Sequence, residues 1–158
     1  MFRSTLFALA LLTAFAAPAY AAGLTASQTV EIAVVSLDEA GDRSVAYETA
    51  DEVAPGDEVR YVLEYSNASD DAADNVRLDM PVPEAINLIE GSVNPGAANV
   101  SYSIDSGATF SNRGDLTVMV NGEERIATAE EITHIRWTFA DSIAPGAVGT
   151  ISYRGVLQ

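Results

Sequence analysis

The chain has 158 residues, of which 48% are hydrophobic and 20% charged, and it contains no cysteine. A chain of this length normally folds as one domain around one core, and without cysteine it cannot be a small disulfide-stapled scaffold. Acidic side chains outnumber basic ones by 23 to 8, and every basic one is arginine. The formal net charge of -15 repels phosphate, which disfavours nucleic acid and anionic membrane surfaces as partners.

The first residues have the pattern of a signal peptide. Met1-Phe2-Arg3 gives a positive start, Leu6–Ala17 is an apolar run, and Ala19-Tyr20-Ala21 matches the small-x-small cleavage pattern. The apolar run stops at Pro18 and is too short to span ~30 Å of hydrocarbon, so we favour cleavage over a membrane anchor. Residues 1–21 are therefore predicted to be a signal peptide. We expect an exported protein, periplasmic or extracellular or on the cell surface, without membrane insertion after cleavage.

Period-two alternation dominates the rest of the chain. Val59, Tyr61, Leu63 and Tyr65 alternate with mostly polar residues, which is typical of a half-buried strand. The predicted strands are Thr29–Leu37, Ser44–Thr49, Glu58–Ser66, Asn75–Met80, Val100–Ile104, Leu116–Val120, Glu123–Ala127, Ile132–Phe139 and Gly149–Leu157. Helical signal is limited to one predicted turn at Thr128–Glu131 and another at Pro83–Leu88.

Turn residues separate these strands. Asn121-Gly122 predicts a tight hairpin, because both residues tolerate a positive φ. Pro55-Gly56 and Pro145-Gly146 each precede a strand and predict type II turns.

Many short strands, frequent turns and few helices predict an all-β fold. We expect one antiparallel β-sandwich over residues 25–158, with a closed barrel as the alternative. Trp137 is the only tryptophan, and it alternates with polar neighbours in the predicted strand Ile132–Phe139. A buried aromatic of this size removes 150–250 Å² from water, so Trp137 is the expected centre of the core.

One stretch of about forty residues carries a family resemblance. It consists of Pro55-Gly56-Asp57-Glu58-Val59-Arg60-Tyr61, Tyr65, Asn67, Asn75-Val76-Arg77-Leu78, Pro81-Val82-Pro83 and Gly91-Ser92. From Val53 to Ser92 the chain resembles the exported bacterial and archaeal "conserved repeat" modules, known as domain of unknown function eleven. Met80 and the pair Ala68-Ser69 depart from that pattern. The resemblance implies an immunoglobulin-like sandwich, usually present in tandem copies and without known catalysis; only one copy is present here.

The residues offer little for catalysis. Without cysteine or lysine the chain has no thiol nucleophile and no Schiff-base amine. His134 is the only histidine, and the alternation places it beside Arg136 on the outer strand face, so we assign no catalytic residue. Paired carboxylates define the alternative, a secreted hydrolase, but 23 acids give such pairs by chance. That alternative requires convergent acids in a pocket lined by Tyr102 or Tyr153.

An acidic loop lies between two predicted strands. In residues 67–75, Asp70, Asp71 and Asp74 are candidate ligands for Ca²⁺, which prefers oxygen. The loop lacks the spacing and glycine of an EF-hand, so a solvated loop whose Asp and Asn side chains stabilise its own turns is the favoured interpretation. No other cofactor is expected.

Together these patterns favour contact over reaction. We expect a non-enzymatic structural or adhesive module that binds a protein or glycan of the cell envelope through loops or a sheet edge. Thr29–Leu37 or Gly149–Leu157 are candidates for exchange between copies in a fibre, although pairing within one molecule is favoured. The alternatives are the secreted hydrolase and a fibre subunit assembled by calcium at the acidic loop.

Overall fold

Strands make up most of the computed structural model, which describes residues 23–37, 42–50 and 52–158. The predicted signal peptide over residues 1–21 lies outside the described residues. The strands are β1 (Leu24–Leu37), β2 (Arg43–Thr49), β3 (Glu58–Asn67), β4 (Arg77–Pro81), β5 (Ile86–Leu88), β6 (Ala98–Ser103), β7 (Thr117–Val120), β8 (Glu123–Ile126), β9 (His134–Phe139) and β10 (Val148–Leu157). Short 3₁₀ turns lie at Arg113–Asp115 and Ala129–Glu131.

The strands form two packed sheets and one hairpin, and all the strand pairs are antiparallel. The larger sheet has five strands in the order β2-β1-β3-β10-β5, and the smaller has three in the order β4-β9-β6. β7 and β8 pair only with each other. The predicted all-β, antiparallel class is therefore confirmed.

Aromatic side chains fill the space between the two sheets. Trp137 from the smaller sheet and Tyr153 from the larger are both 0% exposed, which confirms the predicted position of Trp137. Tyr65 and Phe139 meet edge to face across the layers with ring centroids 5.0 Å apart. The polar atoms of both buried rings have partners: the Trp137 indole donates to the Asn94 carbonyl at 3.0 Å, and the Tyr153 hydroxyl donates to the Pro81 carbonyl at 2.8 Å.

The predicted turns are confirmed. Asn121 and Gly122 have φ of 53° and 87° between β7 and β8. Gly56 and Gly146 have positive φ, and each turn closes with a backbone hydrogen bond of 3.0–3.1 Å. The short helical turn predicted at Thr128–Glu131 is present as a 3₁₀ turn with a capping box.

The helical turn predicted at Pro83–Leu88 is wrong in its second half. Ile86–Leu88 is strand β5, which pairs Leu88 with Gly155 and Ile86 with Leu157. A Cβ at Gly155 would lie 2.3 Å from the Ile86 side chain and 2.9 Å from the Asn87 carbonyl. Because Gly155 has no side chain, β5 can approach β10. This pairing makes Ile86–Leu88 a strand, although so short a segment has little intrinsic preference for strand or helix.

Candidate functional site

A shallow groove of about 460 Å³ lies on the outer face of the five-stranded sheet. It forms where rows of opposite residues cross β1, β3 and β10; Thr29, Val62 and Ser152 make the middle row. The groove is shallow and open because most of the side chains at its base are small serine and threonine residues. The full lining is Ser27, Thr29, Glu31, Arg60, Val62, Glu64, Asn94, Thr150 and Ser152.

The charged groups at one end of the groove bind one another. Arg60 donates to Glu31 at 2.6 Å, and its guanidinium stacks on the Tyr47 ring at 4.0 Å. The Tyr47 hydroxyl donates to Glu58 at 2.7 Å, and Arg154 donates to the same carboxylate oxygen at 2.8 Å. These bonds lower the pKa of Glu58, the Tyr47 hydroxyl contributing most. The network fastens β2 to β3 and β10.

The carboxyl groups with a shifted pKa in the described part of the chain are Glu58, Asp105 and Glu131, and all three are shifted downward. A glycosidase acid needs a shift in the opposite direction. Tyr153, which the hydrolase alternative places in a pocket, is 0% exposed and stacks on Tyr61 with ring centroids 4.9 Å apart. These observations give the hydrolase alternative no support.

His134 lies on the outer face of the smaller sheet, as the alternation predicts. Its neighbours Ile135 and Trp137 are fully buried, whereas His134 and Arg136 are half-buried. The imidazole Nδ1 lies 3.3 Å from the Thr133 hydroxyl. The Arg136 guanidinium donates two hydrogen bonds to Asp79, at 2.8 and 2.7 Å, and stacks on the Phe110 ring at 3.7 Å from its centroid.

The acidic loop is held from inside by Asn67, which is 0% exposed. Its amide donates to the carbonyls of Asp71 and Ile143 at 2.8 and 2.9 Å, and its carbonyl oxygen accepts the Ser69 hydroxyl at 2.7 Å. The candidate ligands Asp70, Asp71 and Asp74 are all exposed. Throughout the described residues, His, Cys, Asp and Glu side chains nowhere gather in threes that could hold a metal. Calcium binding stays a prediction.

Apolar side chains are exposed mainly on two two-stranded ribbons. β3 pairs with β1 only as far as Ile32, so Ala33–Leu37 and Arg43–Tyr47 continue as a first ribbon with no third strand. The β7–β8 hairpin is the second ribbon. The exposed large hydrophobic residues of the described part are Val34, Val35, Leu37 and Val45 on the first ribbon, Met119, Val120 and Ile126 on the second, and Val148 elsewhere.

Sequence reasoning predicted the strands of both ribbons. It missed that the first ribbon continues past β3 as a two-stranded extension of the larger sheet and that the second belongs to neither of the two packed sheets. The available signal was local: Val34, Val35 and Leu37 break the polar alternation that a strand with one solvated face shows. The strands considered for exchange, Thr29–Leu37 and Gly149–Leu157, belong to β1 and β10. β10 lies between β3 and β5, whereas β1 lies between β2 and β3 only as far as Ile32.

Comparison with models of known families finds no match, and neither curated proteins nor solved structures give one. The resemblance over residues 53–92 therefore stays a prediction. Among the described residues there is no helix long and apolar enough to cross a membrane.

Proposed function

We propose that this chain is an exported, non-enzymatic module with an immunoglobulin-like β-sandwich. It serves as a structural or adhesive element of the cell envelope or extracellular space, where its two ribbons contact a partner. The two antiparallel sheets that close over one aromatic core support the immunoglobulin-like part of this proposal. The residue pattern of positions 1–21 supports export.

The placement of exposed apolar side chains carries the proposal. Every exposed large hydrophobic side chain in the described part except Val148 lies on a ribbon. Leu37 is 70% exposed and Met119 is 67% exposed. Burying a side chain of this size against a partner contributes roughly 1.5–3 kcal/mol, so the ribbons hold most of the surface that gains free energy from contact.

The charged groups of the groove are poor contact sites for a partner, because they already bind one another. Glu31 and Arg60 already bind each other, and Glu58 is held by Tyr47 and Arg154. A partner that engaged these groups would have to break existing ion pairs, whereas contact with the exposed aliphatic side chains of the ribbons breaks none.

The chemistry of the tips favours a protein partner over a glycan. The exposed large hydrophobic side chains of the two ribbons are aliphatic or methionine, and none is aromatic. Sugar rings pack best on aromatic faces, while branched aliphatic groups and methionine suit irregular protein surfaces.

Binding of the purified mature chain to an envelope fraction of the producing cell tests this proposal. The variant Leu37→Ser/Val45→Ser alters the first ribbon and Met119→Ser/Ile126→Ser alters the second. Val148→Ser is the matched control, since Val148 is 62% exposed outside both ribbons. We expect at least one ribbon variant to lose about tenfold in affinity, roughly 1.4 kcal/mol, while the control binds as the wild type does.

Equal binding by all variants would contradict the role of the ribbons. Export is tested separately by expressing the full chain and measuring the amino-terminal mass of the secreted product. Cleavage after Ala21 is expected, and full-length chain retained inside the cell would contradict export.

A further inference from the structure

We propose that β2 is the edge at which a second copy of this chain binds, with the two β2 strands antiparallel about a twofold axis at Ala46. The two five-stranded sheets then become one continuous sheet. This inference rests on the proposed function of the chain as a contact module, and it identifies one binding partner as a second copy of the same chain.

Among the strands that the structure describes, β2 offers the longest edge without a neighbouring strand. It is the terminal strand of the larger sheet and has seven residues without proline. At the opposite edge β5 has only three residues. In the smaller sheet, β6 already exchanges two backbone hydrogen bonds of 2.9 and 3.0 Å with Ser111, and β4 ends in Pro81. Open edges of this kind are the usual sites of strand addition.

The hydrogen-bonding phase of β2 fixes which groups face outward. The Ala50 amide donates to the Val30 carbonyl at 3.0 Å. In an antiparallel pair every second residue bonds to the partner strand, so Ala46 and Glu48 bond to β1. The residues between them direct their N–H and C=O groups away from β1, where a new strand can use them; they are Arg43, Val45, Tyr47 and Thr49.

Several registers use these outward groups, and only the register centred on Ala46 pairs all seven residues of β2. If Val45 faces Val45 of the second copy, Asp42 lies opposite Glu48 and two like charges meet. If Ala46 faces Ala46, Ser44 lies opposite Glu48 and Arg43 lies opposite Thr49, so that no like charges face each other. Like charges directly opposite destabilise a strand pair, which favours the Ala46 register.

The Ala46 register also covers apolar surface. Val35 and Val45 pair on the outer face of the first ribbon, and each is 48% exposed. The twofold axis places Val45 opposite Tyr47 of the second copy, and the reverse, which extends the apolar strip across both molecules. The centre of β2, Ser44–Tyr47, has none of the charges by which edge strands usually prevent such pairing.

Single-cysteine crosslinking tests the register, because the wild-type chain has no cysteine. Ala46→Cys places two sulfurs across the twofold axis at a non-hydrogen-bonded pair, about 4.5 Å between Cα atoms, which suits a disulfide. Ser44→Cys is the matched control, since residue 44 is exposed on the same face and lies opposite residue 48. We expect the Ala46→Cys variant to form a covalent dimer at least tenfold faster than the control under mild oxidation.

Sedimentation of the full mature chain measures association without a crosslink. We expect a monomer–dimer equilibrium that shifts toward dimer between 0.05 and 0.5 M NaCl, because salt screens the repulsion between two acidic copies. Val45→Pro removes an outward N–H that β1 does not use, so it should leave a folded monomer by circular dichroism.

A wild-type monomer at all concentrations would overturn the inference. So would equal crosslinking of the two cysteine variants, or efficient crosslinking of Val45→Cys instead of Ala46→Cys. Envelope binding by the wild-type chain separates the two proposals: if the wild type binds the envelope fraction but stays monomeric at all concentrations, the proposed function stands and only the self-pairing fails.

Discussion

Two fully buried polar side chains, Asn67 and Ser103, each organise a loop from inside. Asn67 joins the acidic loop to the carbonyl of Ile143, which is distant in the sequence. The Ser103 hydroxyl donates to Asp105 at 2.6 Å and accepts the Gly107 amide at 2.9 Å. Alternation predicted the burial of Trp137 because the signal lies within one strand. It could not predict the role of Asn67, because the partner that makes burial favourable is supplied by the fold.

Asn67→Ala should destabilise the protein by about 2–3 kcal/mol, because it removes the two hydrogen bonds that the buried amide donates and the two that it accepts from Ser69. Urea unfolding followed by tryptophan fluorescence measures this change, since Trp137 reports on the core. Asn99→Ala, at an exposed position of β6, is the control and should stay within about 0.5 kcal/mol of the wild type. A smaller effect at Asn67 than at Asn99 would contradict the assigned role.

Glu131 gives a pH-dependent contribution to stability. Hydrogen bonds from Arg125 and from the Thr128 amide lower its pKa from 4.5 to about 2. A carboxyl group whose pKa falls on folding stabilises the protein above its unfolded pKa, and this stabilisation disappears as the pH falls toward its folded pKa. Glu131→Gln keeps an acceptor for the cap but removes the charge.

We expect the Tm difference between wild type and Glu131→Gln to be largest above pH 4.5 and to shrink toward pH 2. The neighbouring exposed Glu130→Gln is the control, and its Tm difference should show no such trend. A Tm difference for Glu131→Gln that stays constant across this range would refute the assignment of the shift to folding.

At the level of elements, the sequence predicts strands well where one strand face is buried and poorly where packing alone decides. β9 and β10 alternate regularly between half-buried and buried residues, and both were predicted. β1 begins at Leu24, five residues before the predicted start, because Thr25–Thr29 are exposed on both faces and carry no alternation. β5 was missed because a three-residue strand exists only through its pairing with β10.

Gly155→Ala should therefore separate β5 from β10. The added methyl group meets the backbone carbonyl of Asn87, which cannot move aside as a flexible side chain can. We expect a loss of about 2–3 kcal/mol in global stability. Hydrogen exchange should show faster exchange of the Ile89 amide, which donates to the Arg154 carbonyl at 2.9 Å.

Gly114→Ala is the control for this substitution, because its φ is not positive and its added methyl group meets open space. Its stability should match that of the wild type within about 0.5 kcal/mol. Equal stability of the two alanine variants would show that β5 tolerates a side chain at residue 155.

At the level of the whole molecule, the composition predicted an acidic protein and the period-two alternation predicted the all-β class. Neither predicted the order of the strands in the sheets. The alternation of residues in β3 predicts that one face of this strand is buried, but it does not predict that β1 and β10 are its neighbours in the sheet. Both ribbons have only two strands, one as an extension of the larger sheet and one outside both packed sheets, and this too is decided by strand pairing. It is the feature on which the proposed function depends.

The net charge of -15 makes the stability of the whole molecule sensitive to salt. Repulsion among carboxylates opposes folding, and salt screens it, so raising NaCl from 0.02 to 0.5 M at pH 7 should raise Tm by a few degrees. Calorimetry measures this shift. Near pH 4.1, the isoelectric point of the chain, the same salt should raise Tm less, and an equal rise at both pH values would contradict an electrostatic cause.

The position of β10 has a consequence for biosynthesis. β10 lies inside the larger sheet, where it pairs with β3 on one side and with β5 on the other. A nascent chain that has released everything up to residue 147 still lacks the strand that brings its first and middle thirds together, so the fold cannot close while those residues remain in the ribosome. Until β10 has emerged, the larger sheet stays open and the polypeptide can still be threaded through a narrow channel.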